Sequence, residues 1–147
     1  MAKTKKDEIK SGPIWYIGFR PVSKGLPLPW RWFINPNYAH VLAFRYDVDI
    51  EKWVFVEWGG RVIYVEVWPG EKLDRLFAWL KQDGALISYE TQIHINQQWK
   101  FRMPFYCVSW VKHLLGLRKC AALTPYQLFC ALKKRGGTVI FEYGEET

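Results

Sequence analysis

The sequence predicts an α+β domain in which an antiparallel sheet is packed by about three helices. Three observations carry this. Short runs rich in valine and aromatic residues, as strands prefer, are separated by turn signals in the first half of the chain. Segments with apolar residues at helical spacing follow them. The resulting order is strand, three-stranded meander, helix, strand, two helices, strand, the pattern of an antiparallel sheet with helices packed on it.

Each element has a local reason. An opening strand is expected over 14–22. A turn-rich stretch follows, in which Pro27, Pro29 and Pro36 exclude regular structure. It contains Trp30, Arg31, Trp32 and Phe33, which either line a substrate cleft as a lid or wall, or cover the end of the core. Strands are expected over 40–46, 53–58 and 61–68, joined by an acidic turn through Asp47, Asp49 and Glu51 and by a hairpin turn at Gly59-Gly60. Pro69-Gly70 ends the meander. Leu73, Leu76, Phe77 and Leu80 then repeat at the spacing of one helical face, and Gly84 stops that helix. Residues 85–95 read as extended. A second helix is expected over 107–115, after Met103-Pro104-Phe105-Tyr106. A third is expected over 125–135, with Thr124 as cap, Pro125 in the first turn, Gln127 completing a capping box and Gly136-Gly137 as the stop. Residues 138–143 read as a last strand.

The length of 147 residues fits one domain with a sizeable core. Residues 1–12 read as a flexible basic tail and 13–147 as the domain. No apolar run approaches the ~20 residues of a membrane span, and no apolar segment follows the charged N-terminus as in a signal peptide. A cytoplasmic protein is the expectation. Three cysteines without a CxxC pair speak for reduced thiols rather than a disulfide framework or a structural zinc site, and no cofactor or metal is expected. The net charge of +7 makes an anionic polymer or lipid surface a plausible neighbour. It is scattered along the chain, which favours nucleic acid less; a nucleic-acid face would need Lys100, Arg102, Lys112, Arg118 and Lys119 gathered together. Nine tryptophans suit a dense core or a gripping surface.

Cys107 is the best candidate for chemistry. A helix start favours a thiolate through its unpaired backbone N–H groups, and those groups can also hold an oxyanion. Cys120 in a basic loop and Cys130 in mid-helix lack that advantage. The structural alternative is that Cys107 is a small core residue, since Trp110, Val111 and Leu114 share its helical face. Three histidines are candidate bases. His40 opens a strand and His94 lies in a polar run, whereas His113 is six residues past Cys107 and nearly opposite on the helix, out of reach of its sulfur. A hairpin centred on the acidic turn places His40 roughly across from Glu57, which can then orient the imidazole. A one-residue slip would put Trp58 there instead.

His40-Val41-Leu42-Ala43-Phe44, Val54-Phe55-Val56-Glu57 and Tyr106-Cys107-Val108-Ser109-Trp110-Val111 resemble, in that order, the circularly permuted branch of NlpC-type papain-like cysteine hydrolases. Leu115-Gly116-Leu117 and the run from Leu123 through Leu128 also look like small phage and bacterial proteins of this type. The resemblance spans about 100 residues, from His40 to the third helix. It implies a permuted papain-like fold and a Cys107, His40, Glu57 triad acting on an amide, ester or thioester. The acyl group would come from a small molecule, a peptide or a cell-wall fragment, with Trp30, Trp32, Phe33 and Tyr106 binding it. Tyr16 and Gln92 are candidates for the oxyanion donor. Two rival classes remain beside a cysteine hydrolase. One is a non-catalytic binding or structural protein on the same fold. The other is a membrane-surface acyltransferase resembling the lecithin–retinol acyltransferase relatives, with Trp30, Trp32 and Phe33 at the lipid interface.

Overall fold

A computed structural model describes residues 9–21, 32–94, 106–117 and 119–144. Its strands are β1 (Ile9–Arg20), β2 (His40–Asp47), β3 (Lys52–Trp58), β4 (Ile63–Trp68), β5 (Ala85–His94) and β6 (Thr138–Phe141). Its helices are α1 (Gly70–Asp83), α2 (Cys107–Leu114) and α3 (Pro125–Lys134). The strands form one antiparallel sheet in the order β4-β3-β2-β1-β5-β6. The predicted class and the predicted order of elements are therefore both present.

Alternation along the strands sorts side chains onto two faces. Trp15, Ile17 and Phe19 of β1, Val41 and Ala43 of β2 and Ile87 of β5 pack with Val108, Val111, Leu128, Phe129 and Leu132 of α2 and α3. Leu42, Phe44, Phe55 and Leu86 pack on the opposite face with Leu73 and Leu80 of α1. The sheet is thus the middle of three layers, with α1 on one side and α2 and α3 on the other. Phe19, Phe44 and Phe129 are fully buried. A fully buried side chain of this size stabilises by about 1.5–3 kcal/mol, which fixes both helical layers against the strands.

The expected tail of 1–12 is corrected at its end, because Ile9 through Gly12 belong to β1. Ile9, Lys10 and Ser11 pair with His94, Ile93 and Gln92 of β5, and the register shifts between Ser11 and Ile14. That irregularity accommodates Pro13, which has no N–H to give a ladder, so the strand continues through a sequence that reads as its boundary.

The start of α3 follows its capping box. The Gln127 backbone N–H donates to Thr124 Oγ1 at 3.2 Å, and the Gln127 side-chain oxygen accepts from the Leu123 and Thr124 N–H groups at 2.8 and 3.3 Å. Thr124→Ala removes one of these and is expected to cost about 1 kcal/mol, read as a lowered melting temperature. An unchanged melt would contradict the cap. The helix α2 starts differently: Ser109 Oγ accepts from the Tyr106 N–H at 2.8 Å and donates to the Tyr106 carbonyl at 2.8 Å, which ties down the turn that presents Cys107.

Candidate active site

The site builds from the rim of the sheet where β1 ends and β2 begins. Arg20 and His40 are direct partners across that pair of strands. Across the next pair, Leu42 stands opposite Glu57. The expected facing of His40 and Glu57 is therefore offset by two residues, which keeps both on one face. Their long side chains close the offset: His40 Nε2 and Glu57 Oε1 are 2.9 Å apart. Arg20 adds an ion pair to the same carboxylate oxygen at 3.1 Å. Arg20 also lies over the Trp79 ring of α1, 5.9 Å from its centroid, which places the cluster on the α1 side of the sheet. The bond to His40 and the charges of Arg20 and His40 hold the Glu57 carboxyl below its ordinary value, against the opposing effect of burial.

A depressed carboxylate has a definite consequence for stability. Glu57 favours the folded state above its unfolded pKa, near 4.5, and that contribution is lost as pH falls through the lower folded value. Glu57→Gln should therefore lower the melting temperature at pH 7, with the gap to the wild type closing as the pH is taken below about 4.5. A gap that stays constant down to pH 3 would contradict the ion pair.

Cys107 begins α2 and is buried in the cluster that includes Val41. Backbone N–H groups favour its thiolate, that of Val41 most and those of Val108 and Cys107 itself next, with Arg20 acting through its charge. Burial outweighs them all, so the thiol stands above its ordinary pKa. This corrects the expectation of a lowered value. The helix start has the predicted effect on the sulfur, but the apolar packing around it is stronger. At neutral pH Cys107 is a protonated thiol.

The structure thus brings His40 and Glu57 together and sets Cys107 against the backbone of Val41, the next residue along. Alternation directs the side chains of His40 and Val41 to opposite faces of β2. No hydrogen bond joins Cys107 to His40 among the described residues. Arg20 was not singled out in the sequence. Its signal is its place as the last residue of β1, before Pro21, where a strand end faces the start of β2.

The other sequence candidates scatter. Trp32 and Phe33 are 82% and 75% exposed, so they belong to neither core cluster. Trp30 and the side chains of Gln92 and His94 lie outside the described residues, as do Lys100, Arg102 and Arg118. Tyr106 packs against the α2 side of the core and spends its hydroxyl on the Leu123 carbonyl at 2.9 Å. Tyr16 stacks on Phe44 at 5.6 Å on the α1 face, away from the cluster that holds Cys107, which removes it as an oxyanion donor. The Trp110 indole N–H, which sequence reasoning passed over, is buried one helical turn beyond Cys107 without a hydrogen-bond partner. A shallow groove of about 440 Å³ runs along α3 past Tyr126, Gln127, Cys130 and Lys134, and neither Cys107 nor His40 lines it. Among the described residues no cluster of His, Cys, Asp and Glu could hold a metal ion. None of their helices is long and apolar enough to cross a membrane. Comparison of the chain with family models, curated proteins and solved structures returned no match in any of the three.

Proposed function

We propose that this chain is a cysteine hydrolase or acyltransferase of permuted papain-like, NlpC-type fold, with Cys107 as nucleophile, His40 as general base and Glu57 as the group that orients it. The observation that carries the proposal is the His40–Glu57 bond, formed one residue from the backbone N–H against which the Cys107 sulfur lies. An ionised Glu57 carboxylate can only accept, so Nε2–H of His40 donates to it, which leaves Nδ1 as the nitrogen for the general-base role. A thiol whose pKa is raised cannot rest as a standing thiolate, so its proton has to be removed as it attacks.

The reaction would run in two halves. The Cys107 sulfur attacks the carbonyl carbon of an amide, ester or thioester and passes its proton to His40. The C=O electron pair moves onto oxygen, where the N–H groups at the start of α2 are the candidate donors. Collapse of this intermediate expels the leaving group with the proton from His40 and leaves an acyl group on Cys107. Water or an amine then takes the acyl group, with His40 acting again as base. The substrate would be an acylated small molecule, a peptide or a cell-wall fragment.

A non-catalytic binding or structural role is the second reading. The alternation of His40 and Val41 across β2 and the buried, protonated thiol favour it. Mapping the acetyl group after brief exposure to p-nitrophenyl acetate separates the two. Catalysis requires acetyl on Cys107 ahead of the less buried Cys120 and Cys130. Labelling in order of exposure supports the binding role.

A further inference from the structure

We infer that β4 is a pairing edge through which two copies of this chain join their sheets, antiparallel, about a two-fold axis at Val65. Among the described residues β4 is the outermost strand at its end of the sheet, so one row of its N–H and C=O groups has no ladder partner there. Its apolar side chains are also uncovered: Ile63, Val65 and Val67 are 44%, 64% and 58% exposed. They stand opposite Trp58, Val56 and Val54 of β3 and extend the α2 and α3 face of the sheet past the helices. An occupant must therefore continue the ladder and set its own apolar side chains beside this row, which calls for a β-strand rather than a helix or a small ligand.

Edge strands are ordinarily guarded by outward charge, proline or a bulge. Between Ile63 and Trp68 the sole charged residue is Glu66. Its carboxylate is drawn back onto its own chain by the Trp68 indole N–H at 2.6 Å and the Lys72 ammonium at 2.7 Å. Lys72 in turn lies 4.0 Å from the centroid of the Trp68 ring. The one guard on this edge is thus neutralised within the protomer.

The strand is complementary to itself. A two-fold axis normal to the sheet at Val65 sets Val65 against Val65, Ile63 against Val67 and Tyr64 against Glu66, each pair on a common face. The apolar row then continues unbroken across the joint. On the opposite face each Tyr64 hydroxyl meets a carboxylate acceptor, and the two Glu66 side chains are not set against one another. Charges beside the strand also balance within the protomer, with Arg61 and Lys72 against Glu66 and Glu71. The net charge of +7 is therefore not concentrated at this joint.

The axis makes position 65 its own neighbour, which supplies the test. Sedimentation velocity on the full chain from about 1 μM to about 1 mM covers the range in which a small interface fills. The wild type should pass from monomer to dimer. Val65→Lys and Val65→Glu should each remain monomeric, because like charges meet at the axis, and an equimolar mixture of the two should dimerise again. Val65 is exposed, and melts matching the wild type would show both variants folded. A wild type that stays monomeric at the highest concentration, single variants that still dimerise, or a mixture that fails to recover the dimer would each overturn the β4 joint.

Discussion

Cys107→Ala is expected to reduce acyl transfer from p-nitrophenyl acetate to the background rate, a fall of roughly 10⁴-fold or more for a nucleophile that carries the covalent step. His40→Ala should lower the same rate by roughly 10²–10⁴-fold, the usual contribution of a general base. Glu57→Gln should weaken activity less than either, because its amide oxygen can still accept from Nε2–H. The two large effects should not multiply: the double variant should be no slower than Cys107→Ala alone, since a base has nothing to activate once the thiol is removed. Turnover that survives Cys107→Ala would remove the nucleophile, and with it the reading as a cysteine hydrolase.

The second large effect is on stability and is independent of catalysis. Gly84 joins α1 to β5 in a buried position, and its N–H donates to the Leu80 carbonyl at 2.7 Å. A Cβ added there would collide with the Phe19 carbonyl oxygen and stand 3.0 Å from the Leu80 carbonyl oxygen. Both obstacles are backbone, one in the β1 strand and one in the last turn of α1, so no side-chain rotation relieves them. Gly84→Ala should cost about 3 kcal/mol as an overpacked site, a fall of roughly 10 °C in Tm for a chain of this size. Gly70→Ala is the control, because a Cβ there meets nothing within 4 Å. Equal melts for the two variants would contradict the close approach of α1 and β1.

Much of this architecture was legible from local patterns. The start of α3 at Pro125 and the start of β2 at His40 fall where the sequence places them, because a capping box and the end of a proline-rich stretch are short-range signals. The ends were less sharp. The N-terminal extension of β1 is hidden by Gly12-Pro13, where a bulge rather than a break carries the strand through. Sheet order was not legible: that β1 lies between β2 and β5 depends on pairings far apart in sequence. The same holds for the division of the helices between two faces. It decides that Cys107 lies with Val41 rather than on the His40 side, and no spacing within α2 encodes it. The His40–Glu57 pairing was legible to within two residues, because both flank one hairpin and a two-residue offset preserves the face. The pKa of Cys107 was not. Its helix position is a sequence feature, but the degree of its burial is a property of the assembled core.

The acylation rate of Cys107 with p-nitrophenyl acetate, followed from pH 5 to pH 10 in the wild type and in His40→Ala, tests the coupling of thiol and imidazole most directly. Catalysis through His40 predicts that the wild type is acylated at neutral pH while its thiol is still protonated, and that His40→Ala is slower by at least about 10²-fold near pH 7. Coincident profiles for the two proteins, with acylation rising only as the buried thiol ionises in alkali, would contradict it.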